Sequence, residues 1–256
     1  MILAIDIGNT NIVLGTIKKE TGEILFTART ATDRTFTAEQ YGVQFKHIID
    51  LYNFNTEKID GCIISSVVPP VLNAVERGVK LLTGTSPIIV GPGVKTGLNI
   101  LMDNPAQVGS DLIVNAVSAL EKFKPPIIII DMGTATTISV VDEKKNYIGG
   151  CIMPGIKVSL DAISQRAAQL PGISLIAPKK TLGKNTIECM RSGVIYGNAA
   201  MIDGMIDRIE EETSSDCTVV ATGGISGLII PYCKKEIIYD ENLLLRGLYS
   251  IYKKNL

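Results

Sequence analysis

The chain has 256 residues and a mass of 27.5 kDa, and at roughly 100 to 200 residues per domain this allows one large domain or two small ones. With 46% hydrophobic and 20% charged residues and no low-complexity tract, the composition is that of a folded protein and excludes disorder, collagen and coiled coil. Twenty-five Lys and Arg balance 26 Asp and Glu, a formal charge of −1 with an even spread, so no nucleic-acid partner and no anionic membrane surface is expected.

In chain order, Met1 to Asp6 reads as an apolar strand ending in a carboxylate. An acidic residue this early, with no basic start, makes a signal peptide or a membrane span unexpected. A polar turn at Gly8-Asn9-Thr10 and a second apolar strand over Asn11 to Ile17 complete a hairpin. Next come a strand signal over Glu23 to Ala31, a helix over Ala38 to Tyr52, a strand over Gly61 to Val68 and a helix over Pro70 to Leu82. The first of these helices carries His47, the only histidine, so a histidine triad or multi-histidine metal site must use it; its position reads as structural. Lys95, in the glycine-rich stretch Gly91 to Gly97, reads as part of a solvated loop.

The chain then repeats itself. Ile127 to Asp131, the turn Met132-Gly133-Thr134 and the strand to Val141 echo the opening hairpin, with the two aspartates 125 residues apart, close to half the chain. A strand over Tyr147 to Met153, helices over Lys157 to Gln169 and Asn185 to Glu212, and a strand over Thr218 to Ala221 follow. Within the long helix, Ile195, Ala199, Ile202, Ile206 and Ile209 fall on one face. Strands alternating with helices in two matching halves predict an α/β architecture with a cleft between the halves. Five cysteines, odd in number and without a CxxC pair, argue against a disulfide framework or zinc site and for a reducing, cytoplasmic compartment.

An Asp at the end of a buried strand followed by a Gly-x-Thr turn brings a carboxylate, a hydroxyl and exposed backbone N–H groups into one bend. That combination suits a phosphate with its metal ion. The third glycine turn, Thr222-Gly223-Gly224 after an apolar strand, has the position of a loop that cups a nucleoside. No GxxxxGK[ST], no GxGxxG opening a helix and no HRD-like loop is present, which removes the main support for P-loop, Rossmann and protein-kinase mechanisms. Neither Asp-x-Gly turn contains Lys or Arg. A triphosphate facing Asp6, Asp131 or Asp111 would meet like charges costing about 4 kcal/mol each, at roughly 4 Å and an effective dielectric of 20, so metal cations are expected to supply the neutralisation.

With these segments in place the chain resembles the acetate and sugar kinase, Hsp70 and actin superfamily, and more narrowly the type III pantothenate kinase family over nearly its full length. The resemblance is carried by Asp6-x-Gly8-Asn9-Thr10, Ile64-Ser65-Ser66-Val67-Val68-Pro69, Asn104-Pro105 with Gly109-Ser110-Asp111, and Asp131-Met132-Gly133-Thr134-Ala135-Thr136. Gly149-Gly150-x-Ile152-x-Pro154-Gly155, Gly183-Lys184-Asn185-Thr186 and Thr222-Gly223-Gly224 extend it. It implies duplicated ribonuclease-H-like, actin-like ATPase halves with mixed central sheets flanked by helices, residues 1–115 carrying the first phosphate loop and 116–256 the second phosphate loop and the nucleoside loop.

It further implies ATP-dependent phosphorylation of the primary hydroxyl of pantothenate, the first step toward coenzyme A, with Mg²⁺ and a monovalent cation, K⁺ or NH₄⁺. Asp6, Gly8, Asn9 and Thr10 would form the first phosphate loop, and Asp6 would hold Mg²⁺ directly or through water. Gly133, Thr134, Thr222, Gly223 and Gly224 would complete the ATP site, and Asp131 would hold the monovalent cation. Asp111 would be the general base, in a pocket with Met102, Gly109, Ser110, Leu112 and Thr186, the last serving the partner subunit of a homodimer. Because little proton transfer has occurred in a loose phosphoryl-transfer transition state, Asp111 needs no raised pKa on this reading. Gly109-Ser110-Asp111 also reads as an N-cap for a helix over Ile113 to Phe123.

Two positions depart from the family pattern: Leu112 stands where arginine normally follows the base, and Met102 where a tyrosine normally precedes the Asn-Pro pair. Losing a charged partner for a carboxylate costs about 1.5 to 3 kcal/mol. Two other readings therefore stay open: a kinase for another small hydroxylated acid, or a non-catalytic nucleotide-binding paralogue acting as a regulatory accessory factor.

Overall fold

A computed structural model describes all 256 residues. In chain order the elements are β1 (Ile2–Ile7), β2 (Asn11–Ile17), β3 (Ile24–Ala31), α1 (Ala38–Leu51), β4 (Gly61–Ser66), α2 (Pro69–Thr83), β5 (Ile88–Ile89), β6 (Asn99–Ile100) and α3 (Ser110–Lys122). There follow β7 (Ile127–Met132), β8 (Ala135–Val141), β9 (Asn146–Pro154), α4 (Ile156–Arg166), α5 (Thr186–Thr213), β10 (Thr218–Thr222), α6 (Ser226–Ile229), β11 (Ile238–Tyr239) and α7 (Leu243–Lys254). None of the helices is long and apolar enough to cross a membrane.

Two compact units form. Met1–Leu98, Asp103–Glu121 and Asn242–Leu256 make the first, and Asn99–Met102 with Lys122–Glu241 make the second. Each is built on one mixed sheet flanked by helices, and the repeated β-hairpins make this a duplicated actin-like α/β fold.

In the first unit the sheet order is β3-β2-β1-β4-β5. β1 runs antiparallel to β2 and parallel to β4, with all six of its residues buried, as a central strand covered on both faces requires. On one face Leu3, Ile5 and Ile7 pack with Tyr41, Phe45 and Ile49 of α1 and with Val71, Val75 and Val79 of α2. On the other face Ile2, Ala4 and Ile63 pack with Val114 and Val117 of α3 and with Leu245, Leu248 and Ile251 of α7. The chain's last helix thus completes the core begun by its first strand.

Helix boundaries have local causes. Thr37 and Gln40 form a reciprocal capping box at the start of α1. Pro69 and Pro70 occupy the first turn of α2, where a missing N–H does no harm, and Gly84 ends it in the left-handed conformation. α3 begins at Ser110, three residues before the expected run at Ile113, so Asp111 lies inside the first turn and not at an N-cap.

In the second unit the sheet order is β11-β10-β7-β8-β9-β6. Ile128, Ile130 and Met132 of β7 pack with Ile195, Ala199, Ile202 and Ile206, the face of α5 that the apolar spacing marks out. α4 stops at Arg166, short of Gln169, as the chain approaches Pro171.

Candidate functional site

The first Asp-x-Gly turn closes the β1–β2 hairpin. Gly8 N donates to Asn11 O at 3.0 Å, and burial falls from complete at Ile7 to exposed at Asn9 and Thr10. Asp6, 9% exposed, sits just before the turn at the carboxyl end of a parallel pair, opposite Ser65 of β4. Such strand ends, with their outward-facing loops, are where open α/β sheets take ligands.

Ser65 and its neighbour Ser66 bring Asp111 to the same edge. Ser110 Oγ lies 2.9 Å from Ser65 Oγ, accepts from Ser66 N at 3.1 Å and donates to Ser66 O at 3.0 Å. The first turn of α3 is thereby pinned to the end of β4, next to the end of β1. The Ser110 hydroxyl expected to line the acid pocket is committed to this clasp. Asp111 follows directly, its Oδ1 accepting from Leu112 N at 2.9 Å. Burial pushes the Asp111 carboxyl above the ordinary carboxylate range, against the smaller opposing pull of the Leu112 and Asp111 backbone amides. The role proposed for Asp111 does not depend on this rise, which comes from desolvation outweighing two amide hydrogen bonds with no charge supplied by Leu112. A Cβ at Gly109 would stand 2.5 Å from Asp111 Oδ1, so a side chain there would displace the carboxylate.

The second Asp-x-Gly turn is one residue tighter. Asp6 pairs with Val13 but Asp131 pairs with Thr137, and Gly133 N donates to Ala135 O at 2.9 Å. Asp131 lies opposite Thr222 of parallel β10, and the next residue, Gly223, bends over it at φ +95°. A Cβ on Gly223 would lie 2.6 Å from Asp131 Oδ1 and 2.7 Å from Met132 N. Asp131, Gly133, Thr134, Thr222 and Gly223 therefore meet at one strand edge, with Gly133, Thr134 and Gly224 exposed and Thr222 buried. Gly155 N donates to Thr134 O at 3.1 Å and ties the start of α4 to this turn.

Three other expected site residues lie on different elements, only Leu112 beside Asp111. Leu112 is half-buried in the first turn of α3. Met102, 38% exposed, follows β6 in the second unit, and Thr186 is the exposed first residue of α5, capped by Asn185. Lys95 is held as a loop residue, its backbone N and O bonded to the Asn255 side chain.

Sequence reasoning missed two contributors from the loop between β3 and α1. Thr32 Oγ1 donates to Gly8 O at 2.6 Å and Thr32 N to Thr10 O at 3.0 Å, while Arg34 Nη2 donates to Asn9 Oδ1 at 3.4 Å. The one local signal was Asp33-Arg34-Thr35, in which an Asp accepts from the residue two positions on.

The profile described as type III pantothenate kinase matches residues 2–208. Proteins of that name from an Exiguobacterium species and from Halalkalibacterium halodurans are 47% and 45% identical over 255 residues, covering 100% of this chain and 99% and 100% of theirs. Among solved structures, the activator of 2-hydroxyisocaproyl-CoA dehydratase from Clostridium difficile, determined with bound ADPNP, aligns with TM-score 0.58 at 13% identity, covering 98% of this chain and 93% of its own. That last likeness speaks to the fold alone. On the profile and the full-length relatives, the chain belongs to the type III pantothenate kinase family.

Proposed function

We propose that the chain transfers the γ-phosphoryl group of ATP to the primary hydroxyl of pantothenate, the first step toward coenzyme A. The observation that carries the residue assignment is the Ser65–Ser110 clasp, which holds Asp111 at the strand edge where the Asp6–Thr10 turn opens. Asp111 is the general base. The pantothenate oxygen forms a bond to the γ-phosphorus, the bridging P–O bond to the β-phosphate breaks with its electron pair leaving on ADP, and the hydroxyl proton passes late to the Asp111 carboxylate. A carboxylate raised by burial binds that proton more firmly than an exposed one, and a positioned base typically contributes about 10²- to 10⁴-fold.

The Asp6–Thr10 turn is assigned to phosphate binding and Asp111 to the base. Gly133, Thr134, Thr222, Gly223 and Gly224 are assigned to nucleotide binding and Asp131 to a monovalent cation, K⁺ or NH₄⁺. The donor chemistry fits such ions: carboxylate and hydroxyl oxygens suit hard cations, and no three His, Cys, Asp or Glu side chains gather into an all-protein cage. Asp6 would be the protein ligand for Mg²⁺, directly or through water, and the bound ion would supply neutralisation of charge on the transferring group.

The working species is a homodimer acting in the cytoplasm, with Thr186 serving the other copy's acid pocket. Support for a dimer comes from exposed apolar side chains in the second unit, among them Ile152 and Leu182, 76% and 84% exposed, with Val158, Ile163, Ile176 and Ile187. An ADP-release assay with Mg-ATP, with and without K⁺, against pantothenate and a panel of hydroxy acids tests the proposal. Turnover that requires both pantothenate and K⁺ is expected. ADP release with another acceptor only, or nucleotide binding without turnover, would overturn it.

A further inference from the structure

On that reading a triphosphate binds at turns that carry aspartates and no cation of their own, since Gly8-Asn9-Thr10 and Gly133-Thr134 contain neither Lys nor Arg. A guanidinium nevertheless reaches the first turn from outside it. Arg34 lies in the loop between β3 and α1, and its Nη2 donates to Asn9 Oδ1 at 3.4 Å.

The backbone around Arg34 is anchored on both sides. Upstream, Thr32 makes the two hydrogen bonds to Gly8 O and Thr10 O that fasten this loop to the turn. Immediately before Arg34, the hydroxyl of fully buried Tyr41 accepts from Asp33 N at 3.1 Å and donates to Asp33 O at 2.6 Å. The carboxylate of Asp33, the acidic residue adjacent to Arg34 in sequence, is engaged by Thr35, accepting from Thr35 N at 2.8 Å and Thr35 Oγ1 at 2.6 Å, and no ion pair joins it to Arg34. Arg34 thus keeps its charge unpaired by its neighbour. Of the five N–H donors on a guanidinium, Asn9 takes one, and the residue is exposed.

A planar, always-charged fork held against a turn with exposed backbone amides is a phosphate-recognition arrangement. The same turn follows Asp6, which pairs with Ser65, and Ser65 is bonded to Ser110, the residue before Asp111, the proposed base. We propose that Arg34 is a substrate-binding residue of the reaction, its guanidinium taking the terminal phosphate of Mg-ATP and supplying the protein cation that neither turn provides. The assignment rests on the reading of the first turn as a nucleotide-phosphate loop.

The test titrates the full-length protein and its Arg34→Gln and Arg34→Lys variants with Mg-ATP and Mg-ADP by calorimetry, alone and in an Asn9→Ala background, with pantothenate-dependent ADP release measured in parallel. Arg34→Gln is expected to weaken ATP binding by about tenfold or more, the range for loss of a charged hydrogen bond. ADP binding should change less than about twofold, Arg34→Lys should fall between, and the ATP effect should persist without the Asn9 amide. Equal weakening of ATP and ADP, or an effect that vanishes in the Asn9→Ala background, would reduce Arg34 to a loop brace and overturn the proposal, as would unchanged ATP binding. Arg34-dependent ATP binding without pantothenate turnover would leave this inference standing while overturning the acceptor assignment. A wild-type protein that binds no ATP would overturn both.

Discussion

Ser110 Oγ stands 2.9 Å from Ser65 Oγ and accepts from Ser66 N, so one hydroxyl fastens the start of α3 to the end of β4. Ser65 is fully buried, so bulk solvent does not reach it to replace a lost partner. Ser110→Ala should therefore lower stability by about 1 to 3 kcal/mol, the cost of leaving a buried polar group unsatisfied. With Asp111, the residue after it, as the proposed base, kcat should fall by more than KM for ATP rises, and Ser110→Thr, which restores a hydroxyl, should recover part of kcat. Thermal melts and steady-state kinetics on the two variants check this; a loss of Tm with unchanged kcat would separate the clasp from catalysis.

Burial raises the Asp111 carboxyl above its ordinary value of 3.8. Only the ionised form accepts a proton, so kcat should fall as pH drops through the raised value, at a higher pH than an exposed aspartate would give. The stability effect has the opposite sense. With the folded pKa above the unfolded one, the folded state binds more protons, so the favourable contribution is present below about 3.8 and is lost as pH rises through the folded value. At neutral pH Asp111→Asn should then melt no lower than the wild type while losing about 10²-fold or more in kcat. Comparing melts at pH 7 and pH 4 with the pH profile of kcat measures both effects; a destabilised Asp111→Asn at pH 7 would mean that the carboxylate is held by a favourable charge.

Gly223 crosses Asp131 at φ +95° with no room for a side chain. Gly223→Ala adds a backbone conformation that non-glycine residues avoid, at about 1 to 3 kcal/mol, and pushes a methyl group toward Asp131 Oδ1. The turn must shift, so KM for ATP and the K⁺ concentration for half-activation should both rise. Gly224→Ala, at the exposed neighbour, should change K⁺ activation little. Kinetics at several K⁺ concentrations distinguish the two.

The strand-turn-strand repeat was legible because apolar runs ending in Asp-x-Gly have a period and punctuation that survive without tertiary information. The buried face of α5 was legible for the same reason, its five apolar residues falling three or four apart. What could not be read was anything set by neighbours distant in sequence. α7 joins the core of the first unit through contacts with α3, and Arg34 meets Asn9 across 25 positions of chain. The environment of Asp111 is a second such case. Its residue type and spacing were visible, but its raised pKa comes from burial in the folded chain, which local sequence does not reveal.

Leu112 occupies the first turn of α3 directly after Asp111, the proposed base, and is half-buried, at the position where the family resemblance leads one to expect arginine. Asp111 consequently has only backbone amides to oppose its desolvation. Leu112→Arg would place a cation beside it with two separable effects. A guanidinium able to reach the pantothenate carboxylate should raise kcat/KM for pantothenate several-fold, up to the roughly 10- to 150-fold worth of a charged hydrogen bond. The same charge should lower the Asp111 pKa and move the acid limb of the kcat profile to lower pH. If the acid limb moves while kcat/KM for pantothenate does not, the new cation reaches the base but not the substrate, and this chain holds the acid through other groups. If kcat/KM rises with no change in the limb, the guanidinium points away from Asp111 into the acid pocket.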